Sequence, residues 1–397
     1  MKLKKCLVCS HNKLSEFTNL GIHPLADTFV KNIEINKKIP SEKLICNFCK
    51  KCSHMQLKFK INADKRYNFV DYSYTSANSK VSRNYLKNYF FFIKGIKKKV
   101  KNIAEIGAND GYLISKFNKN IRKVCFEPSR HMDKILKKKN IINIKKFFEK
   151  VKIKKDQYLH KYFDLVIANN VLNHSDNPNK FFQNINRVLN INGIASIEVP
   201  YAPWMVKNKK FDLIYHEHVN YFSINSLNIL CKKNNLFINK ILFPKYHGKM
   251  IRIIISKNNL DYKIPKIILH YEKNIFKHKE NFNKFIIKFK NRFLSKLKKI
   301  KNKKNNNIIV GISASTKANT FLNFLKLSGS EISCMTENSI FKIGKFTPQS
   351  FIEIKSDSFL KKITNKNIYV FFPTWNISSF LKKKILNLNK KIQFINV

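Results

Sequence analysis

The sequence predicts an α/β protein. Its centre is an open, Rossmann-like parallel sheet, preceded by a small zinc-binding unit and followed by a second Rossmann-like α/β unit. Three observations predict it. Short apolar runs ending in small or polar residues alternate with helical stretches through the middle of the chain, the pattern of βαβ units. Two cysteine knuckles stand near the start. The strand, small-residue turn and helix pattern then returns in the last third, after a Lys/Asn-rich tract at 294–307. The division this gives is 1–66, 67–245 and 246–397.

In the first unit, Cys6-Leu-Val-Cys9 is one C-x-x-C, and Cys46, Cys49 and Cys52 compete to form the second. Zinc takes four thiolates in a tetrahedron, which leaves no open position and makes the site structural. No 18-residue apolar run occurs and no apolar h-region follows the first lysines, so neither a membrane span nor a secretory signal is expected. The expectation is a cytoplasmic protein, whose reduced cysteines pair around metal and not in disulfides.

The formal net charge is +54, with 78 basic residues. Such a balance ordinarily points to nucleic acid or an anionic surface. Here only seven of the 78 are Arg, and the lysines run through every segment. Footprints for nucleic acid are localised, so a nucleic acid partner is not expected. A small anionic substrate remains compatible. The competing reading is an RNA- or nucleic-acid-binding zinc protein built on this α/β fold.

In the middle unit, an aromatic and hydroxylic stretch at 71–79, with Tyr72 and Tyr74, precedes a predicted helix from Val81 to Lys94. A buried strand then runs into Glu105-Ile-Gly107-Ala-Asn109-Asp110-Gly111, and a helix is expected from Leu113. Glycines let the backbone turn at the carboxyl end of a strand, where open α/β sheets bind ligands. The spacing is G-x-x-x-G with acids, not the G-x-G-x-x-G of a dinucleotide site, and an acidic turn suits a cationic ligand. The next strand, 123–127, ends in Glu127 and Pro128, and that carboxylate can take two ribose hydroxyls. The strand 164–170 ends in Asn169 and Asn170, and a further strand spans 193–199. Together these fit S-adenosylmethionine, which carries an ammonium and a sulfonium on an adenosine.

After that strand comes Tyr215-His216-Glu217-His218, four consecutive protonatable groups. In an extended segment Tyr215 and Glu217 face one way and the two histidines the other. His216 and His218 could share a metal, but no further acid or His pattern completes such a site. A base oriented by a carboxylate is a usable proton acceptor near neutral pH, and His174 adds an imidazole at the same sheet edge. Methyl transfer to oxygen needs little more than positioning. Transfer to carbon needs a base for a C–H beside a carbonyl and donors for the resulting enolate.

These residues together resemble the sugar C-methyltransferases that act on nucleotide-linked 4-keto-deoxysugars. The resemblance runs over nearly the whole chain: residues 20–29, 52–57, 105–111, 127–129, 170–174 and, most specifically, 211–223. It continues through His247-Gly248 with Arg252, then 318–320, 344–348 and Trp375-Asn376. It implies a class I methyltransferase fold, S-adenosylmethionine as donor and a structural zinc on Cys6, Cys9, Cys49 and Cys52. It implies that His218 removes the proton at C3, that Glu217 and Tyr215 assist, and that His174 lies by the ketone oxygen. Tyr72 and Tyr74 would close over the substrate, and the last unit would share the nucleotide diphosphate with the catalytic one. The substrate contacts expected on this basis are Tyr72, Tyr74, His216, Tyr221, His247, Arg252, Asn319 and Lys345. The chain departs from the family pattern at Lys249 and Met250, in the single glycine of Gly311-Ile-Ser-Ala-Ser-Thr316, and at Gln349. All three departures lie in the last unit and bear on sugar or nucleotide specificity.

Overall fold

The structure, a computed structural model, describes the chain apart from residues 70–74, 78, 155–158, 247, 304–305, 376–377 and 396–397. Tyr72, Tyr74, His247 and Asn376 therefore lie outside the described residues. The described residues form three sheets. The first begins with β1 (Ser15–Pro24), β2 (Ser41–Cys49) and β3 (His54–Leu57), paired antiparallel. The β2–β3 hairpin turns at Cys49-Lys-Lys-Cys52-Ser53, with Ser53 at φ +57°. Its inner face buries Phe17, Leu44, Phe48 and Leu57.

The central sheet starts from β4 (Asn102–Ile106), β5 (Arg122–Phe126) and β6 (Ile142–Ile144), which step outward in parallel. The chain then crosses back, and β7 (Phe163–Asn169) pairs with the other side of β4. β8 (Leu189–Pro200) follows in parallel. The strand order therefore reverses between β4 and β7, and an open sheet takes its ligand at the carboxyl ends of the strands there. The core of this sheet is apolar on both faces, as a parallel sheet requires.

After β8 the chain leaves this sheet. β9 (Asn220–Tyr221) pairs antiparallel with β3, as the fourth strand of the first sheet. Ser223 and Ser226 then form a reciprocal capping box and start the helix Ile224–Lys233. β10 (Phe237–Leu242) and β11 (Met250–Ser256) return to the central sheet, with β11 antiparallel to β8 over seven residue pairs. The sequence division at 245/246 assigns β11 to the last unit. Its place is in the central sheet, because Ile251, Ile253, Ile254 and Ile255 are buried in the slot between β8 and β10 and Arg252 pairs there with Glu198.

Helix Lys279–Lys301 runs through much of the Lys/Asn-rich tract at 294–307. Lysine is a good helix former, and Phe282, Ile286, Phe293 and Leu297 recur on one buried face. That face packs Phe293 against Phe321 and Phe371 of the last unit, at ring-centroid distances of 5.2 and 5.5 Å. The last sheet is wholly parallel: β12 (Asn307–Ile312), β13 (Cys334–Glu337), β14 (Ile354–Ser356), β15 (Asn367–Phe371) and β16 (Ile392–Phe394). Its order reverses between β12 and β15. The helix expected from Leu113 is a single 3-10 turn, Ile114–Lys116. No helix among the described residues is long and apolar enough to cross a membrane.

Candidate active site

The knuckle cysteines come together first. Cys6 and Cys52 have their sulfurs 3.5 Å apart, as do Cys9 and Cys49, and all four lie within 4.8 Å of one another. A tetrahedron of thiolates around zinc has sulfur–sulfur edges of roughly 3.8 Å, so the cage fits the ion. Cys46 lies apart in the apolar core between the first sheet and the last unit, where burial drives its thiol up. Cys49 and Cys52 are thus the second knuckle.

An open cavity of about 1020 Å³ lies at the carboxyl ends of β4, β5 and β7. Gly107, Asn109, Glu127, Pro128, Asn169 and Asn170 line it. Gly107 has φ +63°, and a Cβ there would come within 2.7 Å of Val171 Cγ2, so the turn needs glycine. The Glu127 carboxylate accepts from the N–H groups of Asn109 (2.9 Å) and Ser129 (2.9 Å), which leaves each oxygen a further lone pair. Both polar atoms of the Asn169 amide are buried without a partner among the described residues. Buried polar groups are nearly always hydrogen-bonded. An unsatisfied amide beside an acidic ribose-type carboxylate fits S-adenosylmethionine.

Three residues expected to touch the donor do not line the cavity. The Glu105 carboxylate accepts from Ile114 N at 3.0 Å, under the turn, and burial pushes it up to about 8. Asp110 accepts from Ala77 N and Tyr112 N. Gly111, at φ +68°, makes room for Leu136. They shape the loop from behind because the chain folds back on itself at Gly107 and Gly111, which leaves Asn109 on the cavity wall.

The stretch 215–218 is a turn, not an extended segment, closed by His218 N to Tyr215 O at 3.0 Å. The turn overrides the alternation expected of a strand. It puts Tyr215 and His218 on one side, with the phenol oxygen 2.5 Å from His218 Nε2. The His174 ring stands edge-on to His218, with centroids 4.7 Å apart at 87°, and His174 also lines the cavity. Tyr67 places its hydroxyl 2.6 Å from His174 Nδ1. Burial first, then the Arg66 guanidinium, lowers His174 to about 3, so its imidazole is neutral at ordinary pH. Arg66 is itself buried; it donates to the carbonyls of His174 (3.0 Å) and Glu217 (3.4 Å) and pairs with Asp176. Glu217 Oε1 accepts from Asp27 N at 2.9 Å, and burial raises the carboxyl to about 7.

Family models match the chain in tandem. A "Putative zinc binding domain" covers residues 6–67, a "Methyltransferase domain" 77–240 and a "C-methyltransferase C-terminal domain" 246–396. The three models together span most of the chain, and the last of them is a C-methyltransferase model. The chain is 23% identical to C-methyltransferase NovU of Streptomyces niveus over 373 residues, 89% of this chain and 86% of that protein. Among solved structures it is similar to an S-adenosylmethionine-dependent methyltransferase from Clostridium acetobutylicum (10% identity, 46% of this chain, 94% of that one, TM-score 0.37). It is also similar to 1,6-didemethyltoxoflavin-N1-methyltransferase of Burkholderia thailandensis (13%, 44% and 78%, TM-score 0.34). The enzyme is an S-adenosylmethionine-dependent methyltransferase with a structural zinc cage.

Several residues expected at the substrate serve the methyltransferase elsewhere. His216 is fully buried away from the cavity, its Nε2 3.0 Å from the Glu42 carbonyl, because the turn sends it toward β2. Arg252 pairs with Glu198 at 2.6 Å and lies 3.9 Å over the Tyr89 ring, so it is already engaged. Asn319 is fully buried and donates to Ala26 O. Tyr221 accepts from Tyr215 N at 3.2 Å and fixes the turn. Lys345 is half-buried beside Phe346, which bridges to Val30, and lines neither cavity.

Arg66, Tyr67 and Asp27 were missed, since nothing in their spacing marks them. Glu198 was also missed: it lines the cavity and accepts from Tyr85 at 2.6 Å. An acid inside the apolar run 193–199 was the signal for it. A second cavity, about 1390 Å³, opens at the carboxyl end of β15, lined by Lys210, Lys288, Arg292, Phe285, Phe289 and Trp375 among others. Trp375 donates to Asp212 at 2.6 Å, which ties that wall to the segment carrying His218.

Proposed function

We propose that this C-methyltransferase acts on a nucleotide-linked keto-deoxysugar, at C3 of a 4-keto-6-deoxyhexose. The observation that carries the reading is the Tyr215–His218 pair, 2.5 Å apart, with neutral His174 edge-on beside it at the wall of the donor cavity. Transfer to oxygen would not call for this cluster; transfer to carbon would. His218 accepts the proton from the carbon beside the ketone, directly or through the Tyr215 hydroxyl. The C–H electron pair moves onto the ketone oxygen as an enolate, and His174 donates to that oxygen. Glu217, near half-ionised at neutral pH, balances the charge that appears on the imidazole. Glu127, Asn109 and Asn169 would hold S-adenosylmethionine, which supplies an electrophilic methyl group to the enolate carbon. Tyr72 and Tyr74 of the preceding segment would close over the sugar. The nucleotide end belongs to the last unit. There the second cavity offers Lys288 and Arg292 to a diphosphate and the Phe289 and Trp375 rings to a base, with His247 as the remaining sequence-derived contact.

Deuterium placed at the methylated carbon tests the enolate route. With enzyme, donor and nucleotide keto-sugar present, label should appear in water with each turnover. Retention of the label in the methylated product would rule the route out.

A further inference from the structure

Residues 25–30 of the first unit, between β1 and the helix Ile33–Lys37, are all buried, though most lie in neither helix nor strand. Irregular backbone can be buried only where its polar groups find partners. Leu25 N finds Pro40 O within the unit, and the other partners named here lie in the other two units. The Asp27 N–H goes to Glu217 Oε1 at 2.9 Å. The Ala26 carbonyl accepts from Asn319, and Asp27 Oδ1 from the Thr316 hydroxyl at 3.4 Å. Val30 and Phe346 exchange backbone hydrogen bonds.

Thr316, Asn319 and Thr320 share one face of the helix Thr316–Leu325, at the i, i+3 and i+4 spacing that puts side chains together. Thr320 donates to the Ile214 carbonyl at 3.3 Å, at the entry to the His218 turn. One face of a helix in the last unit thus grips both the buried loop and the start of the catalytic segment.

We propose that Asp27 is a positioning residue for Glu217, and that the last unit sets the charge and orientation of Glu217 through the loop that carries Asp27. The inference rests on the reading of Glu217 as part of the proton-handling cluster. Two effects of Asp27 meet at Glu217. Its N–H favours the carboxylate, and its own carboxylate opposes it. Arg66 also faces Glu217 and favours the ionised form, while Tyr67 and Tyr221 lie close enough for their phenols to feel its charge. Movement of the loop changes the balance at Glu217 without touching the cavity.

The test is the ionisation of Glu217 itself, read from the carboxyl carbon shift in protein labelled with [δ-13C]glutamate. Glu217→Gln assigns the resonance. Asp27→Asn keeps the N–H and removes the neighbouring charge, so the Glu217 midpoint should fall by about one pH unit. The pair Thr316→Val with Asn319→Leu touches only the loop, not Glu217. By loosening the N–H donor it should raise the midpoint by roughly half a unit or more. Zinc content and calorimetric affinity for S-adenosylmethionine should stay at wild-type values in both variants and show that the fold is intact. A midpoint within about 0.2 unit of wild type in the double variant, or no fall in Asp27→Asn, overturns the inference. Unchanged turnover in Glu217→Gln would instead remove the proton-handling reading, with the shifts still in place.

Discussion

Glu105 makes the stability of the enzyme depend on pH in a direction that can be worked out. The residue sits in β4, an interior strand of the central sheet, with its carboxylate buried and held by one N–H from Ile114 at 3.0 Å. Burial raises it from 4.5 to about 8. The folded chain therefore keeps this proton to about pH 8, while the unfolded chain releases it near 4.5. Between those values the folded state binds more protons, so stability falls as pH rises. At 1.36 kcal/mol per unit the ceiling is about 4.8 kcal/mol, of which about 3.5 kcal/mol develops between pH 5 and pH 8. Glu217 and Glu272, each raised to about 7, act in the same direction. Comparison with Glu105→Gln isolates the one residue, because the amide oxygen can still accept from Ile114. Urea unfolding at pH 5, 6.5 and 8, with zinc held constant, should show the variant gaining on wild type by about 2–3 kcal/mol across that range. Parallel stability curves would refute the assignment of a buried, protonated carboxyl.

His218→Ala should abolish turnover and leave S-adenosylmethionine affinity by calorimetry within about twofold, since His218 does not line the donor cavity. Gly107→Ala meets Val171 at 2.7 Å in a left-handed conformation; it should cost about 2 kcal/mol in urea unfolding and weaken donor binding at least tenfold. Metal analysis should find one zinc per chain, lost in Cys49→Ser. Chelation should stop turnover as well as unfold the first unit, because Arg66, Tyr67 and Asp27 belong to or border it. Lys288→Gln with Arg292→Gln should raise KM for the nucleotide keto-sugar and leave kcat near wild type, as both cations stand in the second cavity.

The central strands were legible because Ile103–Ala104, Val124–Phe126 and Leu165–Ala168 are buried on both faces and read as short apolar runs. The cysteine cage was legible from its knuckles. The conformation of 215–218 was not: alternation in such a short polar stretch carries no information when a turn hydrogen bond and the pairing of Asn220–Tyr221 decide it. Helix Lys279–Lys301 was hidden by its lysines, although its apolar residues keep helical spacing. The supporting residues were least legible. Arg66 and Glu217 are 151 positions apart, and Asp27 and Glu217 are 190 apart. The meaning of each lies in the other, and neither side chain announces it alone.

The pairing of β9 with β3 also bears on how the protein is made. β3 emerges early in synthesis, yet its outer edge has no partner until residue 221 follows. At 5–20 residues per second that is a delay of about 10–30 s, during which the first sheet presents an open strand. The same event that covers this edge shapes the turn bearing His218. Completion of the amino-terminal sheet and formation of the turn that carries His218 are therefore one step in the life of the chain, and a ribosome-bound fragment ending before residue 221 has neither.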